Sequence, residues 1–239
     1  MIDDLRHQLA VKGRRPARNA HELVSAWPDT PEGMTDLRGI EVGAEVLALV
    51  YLTVTRVDLS FSRGDSRCSQ SEIYDSRFDA VKLTGQPRFN RRFERCSFRG
   101  ADLTRLAVGP HVIDCDFTDA RAPRLESAPN TVFERCRFDG ADLRGAVFRH
   151  TTFTDCSFVG AKFSEATVFD RCSLQRTALD SGDARLTRVM RDGVSLPDQW
   201  PGEAEWNATE ERYLDRYRRA FLAGDAETMP LDPYDPDLE

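Results

Sequence analysis

Large apolar residues return at every fifth position through the middle of the sequence. A small residue lies two positions before each of them, from Thr131 and Cys136 to Ala161 and Ala166. A period of five matches neither an α-helix, with 3.6 residues per turn, nor a flat strand, with two. The pattern therefore indicates a repeat architecture in which stacked copies share one core. The large residues are Phe133, Phe138, Leu143, Phe148, Phe153, Phe158, Phe163 and Val168.

The same spacing extends on both sides of this stretch. Weaker members begin near Leu49, and Leu174 continues the pattern after a one-residue insertion. We therefore predict that the repeat covers residues 46–196. Upstream the spacing is kept by Phe93, Phe98, Leu103, Val108 and Ile113, and Phe117 follows after a one-residue shortening.

Two units of the repeat share the order Ala-Asp-Leu followed by two variable residues. They are residues 101–105, Ala-Asp-Leu-Thr-Arg, and residues 141–145, Ala-Asp-Leu-Arg-Gly. These units resemble those of the pentapeptide-repeat family, which read Ala, Asp or Asn, Leu and two variable residues. The resemblance implies a mainly β fold, a right-handed quadrilateral parallel β-helix. Four pentapeptides would make one square coil of about 20 residues.

Four cysteines agree with that coil length. Their spacings of 19, 21 and 20 residues place them on one face in successive coils, about 4.8 Å apart. Buried cysteine packs as a small apolar residue, and the sequence lacks the close Cys-x-x-Cys pair of zinc sites. We interpret this set, the cysteine column, as core packing rather than a metal site. It consists of Cys96, Cys115, Cys136 and Cys156, each followed two positions later by Phe98, Phe117, Phe138 or Phe158.

Three further segments complete the predicted organisation. Residues 1–45 are expected to form an N-terminal helical cap over the first coil. Residues 197–224 are predicted to form a C-terminal α-helix, and residues 225–239 an acidic, proline-rich, disordered tail. One stripe of the helix either caps the last coil or makes a homodimer contact. It contains Trp206, Tyr213, Leu214, Tyr217 and Phe221.

The net charge of −7 is concentrated at the C-terminal end. Residues 201–239 hold 11 acids and 4 bases, whereas residues 91–200 hold 16 acids and 17 bases. No apolar run approaches the roughly 20 residues of a membrane span, and the first residues lack the apolar region of a secretory signal. We therefore expect a cytoplasmic protein without a membrane partner.

One segment within the repeat is a candidate contact loop. Residues 84–92 interrupt the spacing between Leu83 and Phe93. Arginine and phenylalanine side chains on such a loop suit a phosphate group or an acidic partner, and the alternative is a solvated corner insertion. The candidate residues are Arg88, Phe89, Arg91 and Arg92.

The sequence contains no catalytic motif. Its four histidines are scattered, and a glycine-rich phosphate loop is missing. We expect no enzymatic activity, no cofactor, no metal and no direct binding of nucleic acid. The expected function is a non-enzymatic scaffold that binds an unidentified protein partner through the faces or loops of the β-helix.

The family resemblance implies an alternative function. Some pentapeptide-repeat proteins are similar to B-form DNA in shape and charge, bind DNA gyrase or topoisomerase IV, and protect cells from quinolones or gyrase toxins. Such mimicry depends on a strongly acidic face, because duplex DNA carries one charge per roughly 1.7 Å. Here arginines alternate with the acids along the repeat. The charge on each face of the coil therefore separates the two functions.

Overall fold

The computed structural model describes residues 29–39, 41–48, 53–67, 71–84, 88–89 and 91–199. All regular structure within these residues is β-strand, which confirms the mainly β fold. None of them belongs to a helix long and apolar enough to cross a membrane. The strands are β1 (Thr35–Asp36), β2 (Glu41–Ala48), β3 (Thr53–Thr55), β4 (Val57–Asp58), β5 (Arg63–Arg67), β6 (Glu72–Tyr74), β7 (Lys82–Thr84), β8 (Arg88–Phe89), β9 (Arg92–Glu94), β10 (Ala107–Val108), β11 (His111–Ile113), β12 (Glu126–Ser127), β13 (Val132–Glu134), β14 (Val147–Arg149), β15 (Thr152–Thr154), β16 (Val168–Asp170), β17 (Ser173–Gln175), β18 (Arg185–Thr187), β19 (Met190–Arg191) and β20 (Val194–Ser195).

Strands from successive coils stack in parallel and form four faces. Face 1 contains β3, β6, β9, β11, β13, β15, β17 and β19. Face 2 begins with β1 and β4 and continues as single bridges from Asp58 to Ala178. Face 3 contains β2, β5 and β7 and continues as bridges from Lys82 to Lys162. Face 4 contains β8, β10, β12, β14, β16 and β18. The fold is thus a four-sided parallel β-helix.

Stacked aromatic rings fill the interior of this β-helix. On face 2, five phenylalanine rings follow one another with centroids 4.9–5.0 Å apart and planes within 3–12° of parallel. This separation equals the spacing between neighbouring strands, so each coil adds one ring to the column. The five rings belong to Phe78, Phe98, Phe117, Phe138 and Phe158.

The parallel ladder begins earlier than the sequence predicts. Thr35 pairs with Val57 on face 2, and Glu41 pairs with Arg63 on face 3. Part of the predicted cap, residues 1–45, therefore already belongs to the coil. The sequence does not reveal this start, because Met34 and Leu37, which pack inward here, are three residues apart rather than five. The predicted helical region before residue 29 lies outside the described residues.

The last coil is covered by the chain itself. Strand β20 turns back on β19 in antiparallel fashion, and Gln199 exchanges backbone hydrogen bonds of 2.8 and 2.9 Å with Leu186. These contacts pair the open strand edges of faces 1 and 4, which would otherwise be available to another chain. The predicted C-terminal helix beyond residue 199, its stripe from Trp206 to Phe221, and the acidic tail lie outside the described residues.

The one-residue shortening lies before Val112, not after Ile113 as predicted. Val112 is buried, whereas Ile113 is half-buried and points outward. The chain saves a residue at Gly109, where an added Cβ would lie 2.7 Å from the Cβ of Ala128. Only glycine fits here, because it has no Cβ, and its absence lets Ala128 of the next coil approach the Gly109 backbone closely.

The one-residue insertion precedes Phe169, so the prediction of Val168 as a core residue is wrong. Thr167 and Phe169 are fully buried, whereas Val168 is half-buried and faces outward. The Thr167 hydroxyl fixes this register: its Oγ1 accepts from the Ser164 amide at 3.0 Å and donates to the Leu143 carbonyl at 3.1 Å. The neighbours Val168 and Phe169 are both apolar, and the larger one gains more by burial.

Candidate interaction surface

The remaining predicted core residues point into the coil. Phe163 differs in being half-buried, because it lies on the last rung of face 3. These side chains are therefore unavailable to a partner, and any interaction surface consists of the outward residues between them. The buried residues of the predicted set are Phe98, Leu103, Phe117, Phe133, Phe138, Leu143, Phe148, Phe153 and Phe158.

The cysteine column is buried, and its thiols have a role beyond packing. The Cys136 thiol lies 3.3 Å from the Val112 carbonyl of the preceding coil, and Thr177, at the same position two coils later, donates to the Phe153 carbonyl at 3.3 Å. The position therefore takes a small side chain that can donate a hydrogen bond. Burial raises the pKa of Cys115. Among the described residues, no group of three or more Cys, His, Asp or Glu side chains is arranged to hold a metal ion.

The predicted contact loop is part of the coil rather than an insertion. Arg88 and Phe89 form β8, which pairs with β10. Arg91 and Arg92 are engaged in ion pairs, with Glu72 at 2.9 Å and with Glu94 at 2.8 Å. In this pairing Phe89 lies opposite Val108, six residues after Leu83 and four before Phe93, so the five-residue spacing does not reveal the strand.

A column of charged residues marks the corner between faces 1 and 2. After each strand of face 1 the chain turns through a residue whose φ lies between +47° and +56°. Arginine and aspartate alternate strictly at this position through eight successive coils. We call this column the Arg/Asp corner. Its members are Arg56, Asp75, Arg95, Asp114, Arg135, Asp155, Arg176 and Asp192.

Three of the four arginines within the Arg/Asp corner hold the aspartate of the preceding coil with two nitrogens, whereas Arg56 donates to the carbonyls of Glu32 and Gly33. The second distance, from Nη2 to Oδ2, ranges from 2.6 to 3.1 Å. Fork-shaped pairing of this kind fixes both side chains. The corner is therefore an ordered and electrically neutral edge. The Nε–Oδ1 distance is 2.6 Å in all three pairs, Arg95–Asp75, Arg135–Asp114 and Arg176–Asp155.

The signal for this corner was present in the sequence. The segments Phe93-Glu94-Arg95-Cys96 and Phe133-Glu134-Arg135-Cys136 are 40 residues apart, which corresponds to two coils. The five-residue spacing concerns the inward residues, and along it the arginines are only interruptions among the acids. A comparison of outward positions at coil spacing would have revealed the alternation.

The ion pairs of the corner change the titration of its carboxylates. The hydrogen bond from the Arg95 guanidinium lowers the pKa of Asp75, and that from Arg135 lowers the pKa of Asp114. A carboxylate whose pKa is lower in the folded protein contributes stability above its unfolded pKa of about 3.9. That contribution is lost as the pH falls through the folded pKa.

We expect replacement of these aspartates by asparagine to reduce acid sensitivity. Asparagine tolerates positive φ but carries no charge. In thermal unfolding measured between pH 7 and pH 2, Asp75→Asn/Asp114→Asn should lower the melting temperature at pH 7 and flatten its fall below about pH 4. Asp119→Asn is the control, since Asp119 turns a corner without an arginine partner. An unchanged pH profile in the double variant would contradict the role of the pairs.

Positive and negative side chains also lie next to each other on faces 2 and 3. On face 3 the bridge positions run Lys82, Asp102, Arg121, Asp142 and Lys162. Arg121 lies 2.9 Å from Asp102. On face 2, Arg99 lies 2.9 Å from Asp116, and Arg137 lies 3.6 Å from Asp139. Within the described coil, therefore, no face presents a continuous acidic row.

Comparisons with known proteins agree with this geometry. Residues 131–168 match the family model of pentapeptide repeats in eight copies. A search of curated protein sequences found no match.

Solved structures similar to this chain include two of QnrB1, a plasmid-mediated fluoroquinolone resistance protein. A trypsin-treated form is 17% identical with a TM-score of 0.39, and covers 66% of this chain and 89% of its own. The full-length form is 18% identical with a TM-score of 0.33, and covers 66% and 91%.

A third similar structure is HetL, a pentapeptide-repeat protein involved in heterocyst differentiation regulation in the cyanobacterium Nostoc sp. strain PCC 7120. It is 14% identical with a TM-score of 0.20, and the match covers 66% of this chain and 85% of HetL. The eight matched copies show that residues 131–168 consist of pentapeptide repeats, and the same five-residue spacing continues on both sides of them.

Proposed function

We propose that this protein is a non-enzymatic scaffold that binds a protein partner through the faces of its β-helix. The observation that carries the proposal is the fixed outer surface. The forked pairs of the Arg/Asp corner hold outward side chains in place from coil to coil. A surface that is already ordered loses little conformational entropy when a partner binds. We place this binding in the cytoplasm, where the thiols of the cysteine column would remain reduced.

The distribution of charge argues against the alternative of DNA mimicry. A mimic of the duplex has to present rows of negative charge. The Arg/Asp corner is neutral, and face 3 alternates lysine or arginine with aspartate. Binding to DNA gyrase or topoisomerase IV through a phosphate-like field therefore has no support in the described surface.

A capture experiment tests the scaffold function. The full chain, immobilised, should retain a protein from an extract of its own cells in stoichiometric amount. The Phe138→Asp variant, whose core column is broken, is the control bait and should not retain it. Retention of the same proteins by both baits, or of none by the folded protein, would reject the proposal.

A supercoiling assay tests the alternative. We expect the protein to leave gyrase supercoiling unchanged at fixed salt, with and without ciprofloxacin. Inhibition of supercoiling or protection from the drug would mean that a neutral surface suffices for gyrase binding. The argument from charge would then be wrong.

A further inference from the structure

Two arginines at the corner between faces 3 and 4 form no ion pair with any described residue. Arg105 and Arg124 occupy this corner in successive coils, with φ of +61° and +58°. The Arg105 amide donates to the Pro123 carbonyl at 2.9 Å, so the two turns lie directly against each other. Neither guanidinium has a hydrogen-bond or ion-pair partner in the part of the chain that the structure describes. Like charges in adjacent strands repel.

This arrangement differs from the rest of the surface. In the Arg/Asp corner, the next coil supplies an aspartate wherever an arginine occupies the turn. At the corner of Arg105 and Arg124, the following coil supplies Gly145 instead, with φ of +70°. A Cβ at Gly145 would lie 3.4 Å from the Arg124 Cγ, so the glycine leaves that side of the arginine open. The two arginines are thus exposed, without an acidic partner in the described coils.

Face 4 places apolar surface next to these arginines. Ala107 and Val147 point outward in the same row, half-buried, on either side of Glu126. At the far edge of the face, Arg149 is exposed and lies beside Asp170 of the next coil, but its guanidinium forms no ion pair among the described residues. We call Arg105, Arg124, Ala107, Val147 and Arg149 the face 4 patch. In the three coils that it spans, Glu126 is the acidic residue of this face.

The face 4 patch shares two features with small protein interfaces. It combines the half-buried apolar side chains of Ala107 and Val147 with three arginines, and arginine is enriched in such surfaces. Guanidinium groups bind carboxylates with two parallel hydrogen bonds. Three unpaired arginines against one glutamate leave a local excess of positive charge, although the chain as a whole is acidic. The chemistry that complements this patch is therefore a short segment that carries several carboxylates.

We propose that the face 4 patch docks an acidic segment of a protein partner. The proposal rests on the scaffold function proposed above and specifies where the partner binds. The partner's carboxylates pair with Arg105 and Arg124 and relieve the repulsion between them. Its aliphatic side-chain atoms lie against Ala107 and Val147. Arg149 contacts the opposite edge of the bound segment.

Fluorescence anisotropy with a labelled octaglutamate peptide tests the site. The full chain at low salt should bind the peptide saturably, and Arg105→Asn/Arg124→Asn should weaken binding about tenfold. The matched control is Arg95→Asn/Arg135→Asn, which removes two charges from the same type of turn in the Arg/Asp corner. It should weaken binding less than about twofold, because those arginines already have partners. Circular dichroism confirms that both double variants are folded.

Four results would overturn the proposal. Binding that fails to saturate would mean that the wild type has no defined site. Equal weakening in both double variants would mean that total charge alone attracts the peptide. Tighter binding of an octathymidylate than of the octaglutamate would assign the patch to nucleic acid. In the capture experiment, a partner retained equally by the wild type and by Arg105→Asn/Arg124→Asn would reject this location while leaving the scaffold function intact.

Discussion

The Phe138→Asp variant is expected not to fold. The Phe138 ring is 1% exposed and lies between Phe117 and Phe158, each with its centroid 5.0 Å away. Aspartate at this position would place a carboxylate in an apolar column without a partner, and it would leave the volume of the ring unfilled. Either effect is large compared with the total stability of a domain, which is typically about 5–15 kcal/mol.

The measurement for this variant is circular dichroism together with resistance to limited proteolysis. Phe61→Asp is the matched control, because Phe61 is 64% exposed and its φ of +63° suits aspartate. The control should remain soluble and resistant to protease. A folded Phe138→Asp protein would mean that the column on face 2 does not point into the coil.

The second large effect is expected at Phe169. Phe169→Ala should reduce the free energy of unfolding by about 3–5 kcal/mol, because the ring is fully buried and stacks on Phe148 at 4.9 Å. Val168→Ala should cost less than about 1 kcal/mol, since its side chain faces outward. Urea denaturation of both variants provides the comparison.

This pair of variants tests the register directly. The five-residue spacing of the sequence assigns Val168 to the core, whereas the structure assigns Phe169. A larger loss from Val168→Ala than from Phe169→Ala would restore the register predicted from the sequence. It would also mean that this coil contains no extra residue between Ser164 and Thr167.

The inward residues of this fold could be predicted from the sequence, because every coil requires the same side-chain sizes at the same positions. Phe133, Phe138 and Phe153 meet equivalent neighbours in each coil, so residue size repeats with position. The prediction from the sequence fails where the small and the large inward positions exchange their side-chain sizes. Leu106 and Leu125 occupy positions that are small elsewhere, and both are fully buried. Ser127 lies where other coils have a large residue, so in this coil Leu125 is the large inward residue and Ser127 the small one.

The pairing of outward charged residues could not be predicted from the five-residue spacing. The residues of the Arg/Asp corner are constrained by the coil before and the coil after, which are about 20 residues away in the sequence. A local pattern of five residues does not contain that constraint. The unpaired state of Arg105 and Arg124 is likewise visible only when the neighbours across the coils are known.

The alternation at the Arg/Asp corner sets the step by which such a rod can change length. Loss of a single coil would place two aspartates or two arginines next to each other, for example Asp114 beside Asp155 if the coil that carries Arg135 were removed. Loss of two coils would instead place an arginine beside an aspartate again and restore the alternation. Charge at one corner thus makes two coils, not one, the unit in which this protein can grow or shrink.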